Sequence, residues 1–208
     1  MIRFKYFINF EKEEKWLVEM AEQGYQLKSA YFGYSFVPAP PEKATIRIDY
    51  RLFTNPKSFA DYCSMFEDSG WQHITGSKQS GPQYFKKISN AAGDDIFSDS
   101  FSRAGRYKRL ANMWLFIAVV WILLLAGQMT GDSSWAAQWM KIGSFLDFRS
   151  WYLTPGLWDM SGSDFWRAFL FETPFAFGRG LALPIWFVIV IVTVFFTAKS
   201  WRLYKSSL

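Results

Sequence analysis

The chain has one cysteine and one histidine in 208 residues. A single cysteine, Cys63, excludes an intrachain disulfide and suits a reducing compartment. His73 has no second Cys or His at ligand spacing, so the usual zinc-site patterns are missing. No glycine-rich phosphate loop is present either, because Gly76-Ser77-Lys78 lacks the Walker spacing. Charge is missing from two stretches, residues 110–129 and 181–198, which contain no Asp, Glu, Lys or Arg. The first ten residues carry Arg3 and Lys5 inside an apolar-aromatic strand pattern, which is not a signal-peptide pattern. The N-terminal part is therefore expected to stay in the cytosol.

Aromatic residues are abundant, at 21% of the chain, with 22 Phe, 11 Trp and 10 Tyr. Tyr and Trp favour membrane–water boundaries, where one end of the ring is apolar and the other is wet. The two uncharged runs fit that setting, since about 20 helical residues cross the roughly 30 Å hydrocarbon core. Residues 110–129 are read as a first transmembrane helix. Residues 181–198 are read as a second, with Pro184 tolerated near its start.

The formal net charge is +5, and its basic excess lies beside these runs. Arg103, Arg106, Lys108 and Arg109 precede the first; Lys199, Arg202 and Lys205 follow the second. Positive charge near helix ends marks the cytosolic side. Both termini are thus expected in the cytosol of a multi-pass cell-membrane protein, with residues 130–180 outside. Trp114, Trp135, Trp139, Trp151, Trp158, Trp166 and Trp201 are the candidate membrane-interface residues.

Residues 1–90 read as a cytosolic α+β domain in the order β-α-β-β-α-β. Residues 2–8 suit a strand. Glu11, Glu13 and Glu14 favour a helix start as a solvated acidic turn, and Trp16, Leu17, Met20 and Ala21 form its apolar stripe. Residues 30–37 and 45–52 suit two further strands. The second alternates, with Ile46, Ile48, Tyr50 and Leu52 facing inward and Arg47, Asp49 and Arg51 facing a wetter side. Asn55-Pro56 opens a second helix as cap and first residue. Gly24 and Gly70 suit the left-handed position that ends each helix. Residues 71–77 and 83–88 complete the sheet as a strand or hairpin. The segment from Met20 to Gln26 echoes that from Met65 to Gln72 with one insertion. This order of elements predicts a ferredoxin-like sandwich. Residues 91–109 read as a linker and a basic juxtamembrane segment, and 199–208 as a basic cytosolic tail.

The run from Phe10 to Leu17 (FEKEEKWL), then Glu19 to Leu27 (EMAEQGYQL), with the later Gly70-Trp71 and Tyr84-Phe85-Lys86-Lys87, carries a family pattern. It resembles the bacterial membrane family catalogued as domain of unknown function 2812, over about residues 3–90. Tyr25 stands where Trp is common in that family. The resemblance implies a bacterial, Gram-positive source and the same two-span layout. It also implies genes often encoded beside PadR-like transcription regulators, and hence a regulatory or sensing role. It brings no catalytic residues.

A search for chemistry finds little. His73 reads as a partly exposed strand residue. Cys63 lies on the stripe of Phe59 and Phe66, where a thiol is inert. The acidic groups of the domain select no active-site pair. Tyr31, Tyr34 and Phe36 offer stacking platforms for bases, but the domain is only weakly basic and lacks the RNA-binding motif, so no nucleic-acid partner is expected. Trp135, Trp139, Ile142 and Leu146 share one helical face. Ser163 could cap another short helix with Phe165, Trp166, Phe169 and Leu170 on its apolar side. Such helices lie at a bilayer surface. No enzymatic activity, cofactor or metal is expected. The expected partners are the lipid bilayer and a protein, either a regulator or a membrane complex. The leading expectation is a sensor or regulatory subunit. Alternatives are an accessory subunit of a transporter or envelope complex, and a lipid-acting enzyme if Arg47, Asp49 or His73 converged in a pocket.

Overall fold

A computed structural model of the chain describes residues 1–129 and 147–208. The chain divides into two compact units. The first comprises Met1–Met113 with Phe196–Leu208, and the second Trp114–Phe195.

The first unit holds β1 (Ile2–Arg3), α1 (Phe10–Glu22), β2 (Tyr25–Tyr31), β3 (Gly33–Pro38), β4 (Ile46–Arg51), α2 (Pro56–Asp68), β5 (Trp71–Thr75) and β6 (Gly81–Lys87). The class is mixed α and β, as read from the sequence, but the strand arrangement differs. Six strands form two three-stranded sheets, ordered β1-β3-β2 and β4-β6-β5. All pairings are antiparallel. A single ferredoxin-like sheet would need parallel central strands. Here β2–β3 and β5–β6 pair as local hairpins instead, and each first strand adds to the far side of the third.

Residues 2–87 are therefore a βαββ unit used twice. The correspondence extends to backbone detail. Each helix ends before a glycine with φ of 82°, Gly24 or Gly70. Each following strand slips register at the same offset from that glycine, between Leu27 and Ser29 and between His73 and Thr75. Such an extra residue breaks the alternation of side chains. That is why β2 does not stand out in the sequence and why the expected strand over residues 30–37 straddles the β2–β3 turn.

Asn9 starts α1 by accepting from the Lys12 amide at 2.8 Å. Asn55 starts α2 by accepting from Lys57 and Ser58, with Pro56 first in the helix. Helix α1 lies against both sheets. Trp16 packs edge-on against Tyr34 and Phe36 of β3, while Glu13 meets Tyr34 and Tyr84, one from each sheet. Helix α2 covers the second sheet through Tyr62 and Phe66 on Phe85 and Trp71. Residues 89–99 are not a free tether: Ala92 and Ile96 pack on that same cluster.

Helix α3 (Ser100–Met129) and helix α4 (Gly162–Ser206) follow. Both are long and apolar enough to cross a membrane. Their most apolar windows are only 22% and 12% buried within the protein, unlike core helices of a soluble fold. Helix α4 is continuous through Pro174 and Pro184, so the short helix expected near Ser163 is its first part. Its 45 residues extend about 68 Å at 1.5 Å each. In the second unit, Trp121 packs edge-on against Trp186. Residues 147–161 fold onto the start of α4: Tyr152 stacks on Phe169, and Glu172 accepts from the Leu153 and Thr154 amides.

Candidate functional site

The first turns of α3 carry the basic residues that the sequence assigns to membrane orientation, and the fold gives several of them a second task. Arg106 is 1% exposed. Its guanidinium donates to Glu14 Oε1 at 2.5 Å, to the Ile48 carbonyl at 2.7 Å and to Glu11 Oε1 at 2.9 Å. It also lies 5.2 Å from the Phe10 ring centre and 5.3 Å from that of Phe97. Next to it, the Tyr107 hydroxyl donates to Glu11 Oε2 at 2.5 Å and accepts from the Phe10 amide at 2.9 Å. One turn from Arg106, Arg109 donates to Asp49 and to the Tyr50 carbonyl. Asp49 is held in turn by the Tyr62 hydroxyl at 2.9 Å. Three elements, α1, β4 and α3, thus close on one buried ionic cluster.

Spacing explains the arrangement. Phe10, Glu14, Leu17 and Ala21 recur at helical intervals, so Glu14 shares the buried face of α1 with apolar residues. The acidic start of α1 is therefore not the solvated turn expected from sequence. Glu13 and Glu14 are both buried, and only Glu11 is exposed. Asp49 is likewise buried, because α2 covers the side of β4 that the alternation leaves polar. A run of Glu and Lys carries no local sign of which carboxylate turns inward. The available signal was the helical spacing of Glu14 with Leu17.

Burial dominates the acid–base character of the cluster. Desolvation raises the Glu14 pKa above its ordinary value, partly offset by Arg106. Burial also acts upward on Glu11, but the Tyr107 hydroxyl and Arg106 outweigh it and hold that carboxyl below its ordinary value. Desolvation by itself would lower the Arg106 pKa, and Glu14 reverses the sign. Glu13, 3% exposed, accepts from Tyr34 at 2.8 Å and Tyr84 at 2.7 Å on one oxygen. Burial pushes its pKa up from 4.5 to about 7, against the pull of these two hydroxyls. The folded chain thus holds the Glu13 proton more tightly than the unfolded one. Stability from this group is greatest below pH 4.5 and is lost as pH rises to 7.

The other candidates scatter. Arg103 pairs with Asp95, and Lys108, Lys199, Arg202 and Lys205 are exposed. Arg47 bonds the Asp94 carbonyl at 2.9 Å. His73 bonds Gln83 at 3.1 Å, and burial lowers its pKa. Arg47, Asp49 and His73 therefore each have a different partner. Cys63 is half-buried, and burial raises its pKa. Among the described residues, no cluster of three His, Cys, Asp or Glu could hold a metal ion. Trp151 and Trp158 pack with Phe148, Trp166 with Phe169, and Trp201 with Tyr204. Trp114 is half-buried. Trp135, Trp139, Ile142 and Leu146 lie outside the described residues.

The family described as protein of unknown function, DUF2812, matches residues 9–119. The chain belongs to this DUF2812 family. The match begins at the cap of α1, after β1, and runs through the rest of the first βαββ unit, the whole of the second and the Arg106 cluster into the apolar part of α3. The DUF2812 region of this chain thus includes the joint between domain and helix. No curated protein and no solved structure matched the chain.

Proposed function

We propose that this DUF2812 protein is a non-enzymatic, two-pass membrane protein acting as a sensor or regulatory subunit. Its cytosolic double-βαββ domain engages a protein partner, and the state of its membrane helices biases that engagement. Both termini face the cytosol, following the basic residues at the ends of α3 and α4.

One observation carries the reading. Arg106, on the same helix as the apolar run, is buried in the domain between Glu11, Glu14 and the Ile48 carbonyl. A flexible tether would suffice for anchoring alone. A buried ion pair on a continuous helix gives a displacement of α3 a direct path to α1 and β4.

The test uses the full chain in native membranes, with a photo-crosslinking residue at exposed Lys57 or Gln72. The expected result is a discrete cytosolic adduct whose yield changes severalfold when Tyr107→Phe loosens the joint. No discrete adduct from either position, together with unchanged gene expression on deletion, would overturn the proposal.

A further inference from the structure

The sheet edge formed by β1 and the β2–β3 turn carries large apolar side chains that the fold leaves uncovered. Phe32 is 95% exposed and Phe4 83% exposed. They form one patch: the Phe4 ring lies against Gly33, the residue after Phe32, so closely that an added Cβ there would sit 3.0 Å from it. Gly33 has a φ of 112°, which lets the turn present Phe32 outward. Tyr6 extends the patch to α4, where its ring meets Phe196 edge-on at 5.7 Å. Phe196 lies three residues before Lys199, at the end of the apolar run.

We propose that this patch inserts into the cytosolic surface of the phospholipid bilayer. The inference rests on the membrane reading above and adds where the soluble domain sits. The contact of Tyr6 with Phe196 sets the depth, because a ring packed at the end of a spanning segment lies at the headgroup level. Phe4, two residues before Tyr6, and Phe32, beside Gly33, then add exposed apolar surface next to that contact. Arg3 and Lys5 flank the patch, and Lys5 lies 4.9 Å from the Phe7 ring and 5.0 Å from that of Trp16. A hollow of about 360 Å³ beside Phe4 is lined by Arg3 and Lys5, with Glu19 its one carboxylate. Cations around exposed aromatic rings suit an anionic headgroup layer.

The test uses the full chain with Cys63→Ala, placed in nanodiscs of phosphatidylethanolamine and phosphatidylglycerol. An environment-sensitive fluorophore is attached at Phe32→Cys, at Lys57→Cys on the exposed start of α2, or at Ile191→Cys within α4. Nitroxide lipids labelled near the headgroup should quench position 32 roughly twofold or more above position 57, as expected about 5–10 Å into the interface. Adding Phe4→Ser should weaken that quenching by about half, since the remaining patch buries less apolar area. Nitroxides near the chain end should quench position 191. Failure at 191 overturns the membrane reading and this inference together. Quenching at 191 without an excess at 32 overturns this inference alone. So does a label at 32 that is shielded from an aqueous quencher but not reached by lipid, which would mark a protein or a second copy as the occupant. Indifference to Phe4→Ser would mean that the label inserts by itself, and also overturns it.

Discussion

Replacing Arg106 by Met isolates the joint between α3 and the domain. The thioether roughly preserves the stem of the side chain and removes every donor. Three acceptors lose a partner: Glu14 Oε1, the Ile48 carbonyl and Glu11 Oε1. Glu11 is exposed and recovers through water. Glu14 is buried and keeps the Ile48 amide, which donates at 3.0 Å. Removing one partner of a buried pair costs about 3–5 kcal/mol, mainly because the other charge stays buried. Glu14→Gln added to Arg106→Met removes that stranded charge, so the double variant should regain about 1–3 kcal/mol of the loss. Amide exchange along the β4–β6 ladder, followed in nanodiscs, reads the opening free energy. The reasoning fails if Arg106→Met costs under about 1 kcal/mol, or if the two substitutions add without coupling.

Glu13→Gln keeps an oxygen for Tyr34 and Tyr84 but cannot ionise, so the wild type should lose about 3 kcal/mol relative to it between pH 4.5 and 7 and no more above. Thermal unfolding of both proteins across that window checks it, and a constant difference would count against a buried, neutral Glu13. Gly70→Ala should cost more than about 1 kcal/mol, from a φ of 82° and a Cβ 2.7 Å from that of Ser89, whereas Gly93→Ala should be near neutral. Equal denaturation midpoints for these two variants would remove the steric role assigned to Gly70.

What could be read from the sequence depended on whether the signal was local. Helices α1 and α2 show their stops at Gly24 and Gly70, and α2 shows its cap and proline at Asn55-Pro56. The uncharged runs mark α3 and α4 by length and composition. The echo between the two halves pointed to a repeat. Its content, βαββ rather than βαβ, was hidden by the register slips at Lys28 and Ile74, which erase the period of two. The ionic cluster was hidden for another reason. Arg106 meets residues over 90 positions away in sequence, and nothing near it distinguishes a headgroup-facing arginine from one that turns into a domain.

That ambiguity bears on mechanism, because one arginine cluster serves two demands. Positive charge at the start of α3 favours a cytosolic location whichever way the side chains point. Arg103, Lys108 and Arg109 retain exposure enough to meet that demand. Arg106 does not, so its burial needs a separate account, and the carboxylates of Glu11 and Glu14 supply one. Under the proposed role, the size of that pairing also limits what a signal must do. Releasing Arg106 returns both charges to water and so costs less than truncating it, and a gap of about 2.7 kcal/mol already closes the joint in about 99 molecules of 100 at rest. Carrying such an equilibrium from 1:99 to 99:1 takes about 5.5 kcal/mol of differential binding. A stimulus acting on α3 alone would have to distinguish the two states by that much. A partner bound across α1 and β4 could share the work, because both elements contribute directly to the seat of Arg106.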